Sequence, residues 1–320
     1  MKMISASDLH ATLDPVSLIN ALDDAFRSEI RAPLRHHHPM ARSGEPGAIL
    51  LLMPAWTEMG VVAQADPVIG IKIVTLVPGN ASRGEGTVLG SYMLMSGVTG
   101  APLAVLDGTT LTHLRTAAAS ALGARYLARE NASRLVMVGA GAMVPHLIAA
   151  HASIRPIREV SIWARDIAKS TALAASMSGR AYSVRAITDL DTAIGEADIV
   201  SSATLSAHPL VHGRFLSPGM HVDLVGAYTP DMREADDDAI RRARVYVDTI
   251  EGATHEAGDI VQPLKSGVLA PDGIVGDLFG LAGGRIGGRA SADEITLFKS
   301  VGTALEDLAA AKLAFDRASA

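Results

Sequence analysis

The stretch RLVMVGAGAMVPHL, residues 134–147, limits what this chain can fold into more than any other. Residues 135–138 read as a short apolar strand, Gly139 and Gly141 end it, and a helix is predicted over 144–153. Glycines let a backbone turn tightly and approach a pyrophosphate, whose charge is met by free N–H groups at the start of the following helix. Val144 stands where a third Gly or Ala normally permits close helix–strand packing, so the helix is expected to sit slightly farther out. Taken alone, the pattern also suits an ordinary β-turn-α connection. Its surroundings favour the nucleotide: further strands are predicted over 160–163, 183–187, 199–203, 222–225 and 245–248, with a helix over 167–178. Strands spaced by such helices require crossovers, and crossovers give a parallel sheet covered on both faces. Residues 118–297 are therefore predicted to be an α/β, doubly wound parallel sheet of Rossmann type.

The first hundred residues have a different texture. A helix is predicted over 16–29, then β segments over 49–53, 69–77 and 87–95, and a hairpin turn at 97–100 in which Gly97 and Gly100 supply positive φ before a strand over 102–106. This reads as a mostly antiparallel α+β domain. The alanine-rich LTHLRTAAASALGARYLA carries the chain into the second domain, and a last helix over 294–317 returns it to the first. The first domain is thus discontinuous, 1–117 with 298–320.

At 320 residues and 48% apolar, the chain can bury two cores. The N-terminus turns polar before a signal sequence could form, and no run of about 18 apolar residues follows, so a cytoplasmic protein is expected. Without cysteine there are no disulfides, thiolate zinc sites or cysteine nucleophiles. The net charge of −6 is dispersed, which argues against a nucleic-acid surface, and no G-x-S-x-G elbow is present for a serine hydrolase.

At the end of the second Rossmann strand, Ala164 replaces the carboxylate that would bind a ribose 2′-hydroxyl, and Arg165 follows, which suits a 2′-phosphate and favours NADPH over NADH. Asp166 either caps the next helix or reaches the ribose. A second constellation is basic: Arg35, Lys72 and Arg115. Lys72 interrupts an apolar strand, and an unpaired buried ammonium is costly, so it must face a buried acid or an anionic ligand. Two arginines and a lysine suit a carboxylate substrate. His36, His37 and His38 form no metal site on this reading, because neighbours in an extended segment point to opposite faces and no acidic pattern completes a shell.

Along nearly its whole length the chain resembles the ornithine cyclodeaminase and mu-crystallin family, through APLRHHHP, LLLMPAW, KIVTLVPGN, LAVLDG, LRTAAASALGARYLA, VGAGA, SATLSAHPL, LVGAYTPDMREADD, VYVDT, EAGD and LFKSVGTALEDLAAAKLAFD. The resemblance implies a homodimer formed through the antiparallel domain, which then serves for substrate binding and dimerisation. It implies that Arg35, Lys72 and Arg115 hold the substrate carboxylate region near the nicotinamide. It puts Gly139, Ala140, Gly141, Ala142 and Met143 at the pyrophosphate, Arg165 by the ribose, and Thr204 and Leu205 along the cofactor, with Thr87, Thr116, Lys299 and Ser300 as further contacts. Tyr228 stands where cyclodeaminases carry a proton-handling aspartate, so the chain is similar to the ketimine reductase branch, which reduces Δ1-pyrroline-2-carboxylate and Δ1-piperideine-2-carboxylate to L-proline and L-pipecolate. Asp231 is expected to cap a helix before Met232. Cyclodeamination of ornithine with NAD, reductive amination of the alanine dehydrogenase kind, and non-catalytic NADPH storage are the alternatives.

Overall fold

In the computed structural model, which describes residues 1–58 and 66–319, the strands form two sheets, one in each of two units. The first unit is Met1–Thr116 with Thr303–Ala320. Its elements are β1 (Lys2–Ile4), α1 (Ala6–Thr12), α2 (Pro15–Arg27), β2 (Ile30–Arg31), β3 (His36–Met40), β4 (Ala48–Thr57), β5 (Val68–Leu76), β6 (Val88–Ser96), β7 (Pro102–Asp107) and the start of α3 (Gly108–Leu127). The sheet runs β1-β7-β6-β5-β4-β2, with β3 also on β4, and every pairing but β1 with β7 is antiparallel. Helix α2 starts where Asp14 accepts from the Ser17 N–H ahead of Pro15, and its buried face is Leu18, Ile19, Leu22 and Phe26.

The hairpin between β6 and β7 closes through Ser96 N–H to Ala101 and Gly100 N–H to Ser96, but only Gly100 has positive φ, +73°. Gly97 is needed for space instead: a Cβ there would lie 2.8 Å from the Pro67 backbone.

The second unit, Ala117–Gly302, contains β8 (Arg134–Val138), α4 (Val144–Ile154), β9 (Glu159–Trp163), α5 (Ile167–Ser176), β10 (Ser183–Ile187), α6 (Leu190–Glu196), β11 (Ile199–Ser202), β12 (His221–Leu224), α7 (Asp237–Arg242), β13 (Arg244–Val247), α8 (Ile250–Glu256), α9 (Gly258–Ser266), β14 (Ile274–Asp277), α10 (Leu278–Ala282) and β15 (Thr296–Lys299). All strands are parallel in the order β10-β9-β8-β11-β12-β15-β13-β14. Every residue of β11, β12 and β15 is buried, as expected of parallel strands covered on both faces. Chain order reverses between β8 and β11, which makes the carboxyl ends of those strands the place where open α/β sheets bind ligands.

The helix predicted over 294–317 begins only at Ala304, as α11 (Ala304–Ser319). Ahead of it, Thr296–Lys299 is β15, inserted between β12 and β13. Four buried residues carry no periodicity that separates strand from helix, and their pairing partners lie far away in sequence. The boundary predicted at 297/298 consequently falls inside a strand, and the units divide after Gly302.

Candidate active site

Alternation along β5 buries Val68, Gly70, Lys72 and Val74 on one face, so the period of two turns Lys72 inward. Its side chain is 2% exposed, with Nζ 2.9 Å from Asp307 Oδ1 and 2.8 Å from Oδ2 on α11. Lys72 thus has the buried acid that its burial calls for. Arg115, on α3, donates from Nε to Asp307 Oδ1 at 2.9 Å and from Nη1 to Glu306 Oε2 at 2.6 Å. Arg35, half-buried between β2 and β3, adds its field. Burial, then the Arg115 charge, lowers the Lys72 pKa to about 8; Asp307 opposes the shift and Arg35 assists it. Burial alone would raise the Asp307 carboxyl, yet Arg115 and Lys72 hold it below its ordinary range. Lys72 and Arg115 thus meet the carboxylates of Glu306 and Asp307 in a buried cluster that the Arg35 charge also reaches.

Sequence reasoning missed Glu306 and Asp307. The signal was present in the buried lysine's need for an acid and in the ED pair of an alanine-rich helix, but 235 positions separate Lys72 from Asp307. It also missed Tyr92, fully buried, whose hydroxyl finds no hydrogen-bond partner among the described residues and is pushed well above its usual pKa by burial and then by Asp307.

In the second unit, Gly139 has φ +118°, and a Cβ there would lie 2.8 Å from the Ala203 carbonyl oxygen, so the turn admits only glycine. Its N–H donates to the Trp163 carbonyl at 2.8 Å. Gly141 is exposed, with nothing within 4 Å of where its Cβ would be. Ala140 and Met143 are half-buried and Ala142 is exposed. Met143 precedes α4 without a side-chain cap, which leaves the helix start open to an anion. Val144 is fully buried. Thr204 is half-buried and Leu205 is 67% exposed, both in the loop after β11. Arg165 is exposed, and Asp166 caps α5, accepting from Ala168 N–H at 3.0 Å. Thr87 is exposed just before β6, and Thr116 is half-buried on α3.

Lys299 is fully buried and directed at Asp259, Glu234 and the Gly226 carbonyl, as a cation in a dry interior must be paired, and Ser300 is 2% exposed. One expectation needs correction. Asp231 caps no helix; it lies exposed in a turn, and the next helix, α7, is capped by Asp236. His36, His37 and His38 are exposed on β3, and no group of three or more potential metal ligands occurs among the described residues. Tyr228, half-buried, follows Ala227, whose φ is +48°, and burial raises its pKa.

A parallel sheet of Rossmann type together with an antiparallel sheet is the architecture of a class of two-unit dehydrogenases and reductases. The chain belongs to the ornithine cyclodeaminase/mu-crystallin family, which it matches over residues 1–320. A Δ1-pyrroline-2-carboxylate reductase of Colwellia psychrerythraea is 38% identical, covering 97% of each chain. The solved Δ1-pyrroline-2-carboxylate reductase of Thermococcus litoralis, in complex with NADH and L-proline, is 32% identical and superposes with a TM-score of 0.92 over 100% of this chain and 98% of that one. An archaeal alanine dehydrogenase dimer with bound NAD is 28% identical, with a TM-score of 0.88 over 100% and 96%.

Proposed function

We propose that the protein is an NAD(P)H-dependent ketimine reductase that converts small cyclic imino acids, Δ1-pyrroline-2-carboxylate and its six-membered homologue, into L-proline and L-pipecolate. The buried cluster of Lys72, Arg115, Glu306 and Asp307, with Arg35 beside it, carries this reading: it gathers two guanidinium groups and an ammonium, the donors that suit a substrate carboxylate. The reductase names of the relatives support it further.

The glycine turn fits a dinucleotide, since Gly139 tolerates no side chain and α4 begins without a cap. Gly139, Ala140, Gly141, Ala142 and Met143 would hold the pyrophosphate, and Arg165 a 2′-phosphate, so NADPH is the preferred cofactor. When bound, the nicotinamide supplies hydride to the C=N carbon. Arg35 and Arg115 hold the carboxylate and orient the ring. Lys72, with a pKa of about 8, keeps a proton at neutral pH yet releases it more readily than an ordinary lysine, and shares it with the imine nitrogen. Positive charge on that nitrogen makes the adjacent carbon the acceptor. Asp307 fixes the ammonium. Tyr228, a phenol whose pKa burial raises, is a poorer base than the aspartate that cyclodeamination calls for.

The functional protein is a homodimer. The sheet face opposite α11 carries Leu52, Ile71, Ile73 and Met93 as neighbours across β4, β5 and β6, and Ile73 is 41% exposed. It acts in the cytoplasm; no helix among the described residues is long and apolar enough to cross a membrane. The test is to mix purified protein with NADPH or NADH and each cyclic imine, and follow the reduced cofactor's absorbance. Oxidation that needs the imine but no added ammonia is expected. Ammonia release from ornithine, or dependence on added ammonia, would replace the proposal with one of its rivals.

A further inference from the structure

The interior of the second unit holds a charge cluster that the proposed reaction leaves unused. Glu234, Asp259 and Lys299 are each fully buried. Lys299 Nζ lies 3.3 Å from Asp259 Oδ2 and 3.9 Å from Glu234 Oε2, and also donates to the Gly226 carbonyl. Asp259 Oδ1 accepts from the backbone N–H groups of Glu234 at 2.8 Å and Ala235 at 3.0 Å. Glu234 Oε1 accepts three times, from Ser202 Oγ at 2.6 Å, Thr204 N–H at 2.7 Å and Thr204 Oγ at 2.9 Å. One carboxylate oxygen therefore ties the end of β11 to the loop beyond it.

The turn after β12 is caught in the same clamp. Ala227 N–H donates to the Thr204 carbonyl at 3.3 Å, and the Ala227 carbonyl accepts from Gly258 N–H at 3.2 Å. A Cβ at Gly226 would overlap the Thr204 carbonyl and lie 2.7 Å from Glu234 Oε1. Ala227, at φ +48°, holds a conformation that persists only where its surroundings over-determine it. Two carboxylates and one ammonium in a dry interior are a poor source of stability, since apolar residues of the same volume commonly do as well. What the cluster does achieve is to fix the loops after β11 and β12, adjacent parallel strands beside the reversal of strand order, where ligands of open α/β sheets bind.

We propose that Glu234, clamped by Lys299 and Asp259, is a positioning residue that sets the Thr204 loop and the Ala227 turn against the nicotinamide end of the bound dinucleotide. The inference rests on the protein's being nicotinamide-dependent. Glu234 acts through Thr204 and the Ala227 turn and touches no substrate. The pyrophosphate contacts belong to a different turn, at Gly139 and Gly141, so disturbing the clamp affects hydride transfer more than nucleotide affinity.

Two variants test this. Glu234→Gln keeps an acceptor oxygen of the same shape without the charge, and Ser202→Ala removes one of its three donors. For each, the melting temperature, the dissociation constant of the reduced nucleotide, the emission of the bound reduced nicotinamide, and kcat and KM with Δ1-pyrroline-2-carboxylate are compared with the unaltered protein. The expected result is a kcat lower by about tenfold for Glu234→Gln and about threefold for Ser202→Ala, with nucleotide affinity held within about threefold and a shifted emission. Folded variants with unchanged kcat and unshifted emission overturn the proposal, as does a parallel loss of melting temperature, affinity and kcat. If Glu234→Gln does not fold, Ser202→Ala decides by the same criteria. Should the unaltered protein bind reduced nucleotide yet reduce no cyclic imine, the reaction assigned above fails while the emission shift still decides on the clamp; no nucleotide binding at all defeats both.

Discussion

Lys72 owes its chemical character to its surroundings. Burial and the nearby Arg115 lower its pKa to about 8, with Asp307 limiting the fall. A step that needs the ammonium therefore runs nearly fully at pH 7, is halved near pH 8 and fades above it. Lys72→Arg keeps a charge that does not titrate there but loses the compact geometry, so kcat/KM should drop by about 10- to 100-fold and the decline near pH 8 should vanish. A profile for the unaltered protein that stays flat beyond pH 9, or a decline that survives in the variant, would refute this role. Arg165 makes a separate claim. With Asp166 occupied as the cap of α5, Arg165→Ala should weaken NADPH by about tenfold, the worth of one charge-assisted hydrogen bond, and leave NADH within about twofold. Equal weakening of both nucleotides, read by fluorescence titration, would remove the 2′-phosphate from the account. At this scale the sequence was informative where a residue broke its local pattern, as Lys72 does in an apolar strand. Asp307 and Glu234 break none, because acids in helices and loops are ordinary until the fold buries them.

Among the elements, the turn from β8 to α4 joins the most legible piece of sequence to the sharpest geometry. Its two glycines serve different ends. Gly139→Ala forces a Cβ toward the Ala203 carbonyl at positive φ and should cost about 1–3 kcal/mol of stability, measured by denaturant unfolding. Gly141→Ala meets nothing within 4 Å, so stability should stay within about 0.5 kcal/mol, while the proposed pyrophosphate site predicts weaker nucleotide binding. Unaltered affinity in Gly141→Ala would show that no pyrophosphate lies there. Elements with a strong period or a cap, such as α2 behind Asp14 and Pro15, were readable. The four-residue strand β15 was not, because its identity comes from pairing with β12 and β13.

For the whole molecule, the antiparallel sheet raises the question of assembly. One face receives α11 and buries Lys72 and Tyr92. The other leaves Leu52, Ile71 and Met93 half-buried and Ile73 exposed, the apolar patch proposed above for the dimer interface. Ile73→Glu places a charge in that patch and should convert a dimer to monomer in sedimentation velocity. A variant that stays dimeric would move the interface elsewhere. The division of labour between sequence and structure follows from range. Periodicity, capping and glycine placement are local, and they determined from sequence alone that a strand–glycine–helix turn sits within a β/α series and that an isolated lysine needs a counter-charge. Which acid answers that lysine, where β15 inserts, and how Glu234, Asp259 and Lys299 meet are decided only when segments tens to hundreds of positions apart pack together, because burial and pairing are properties of the assembled interior.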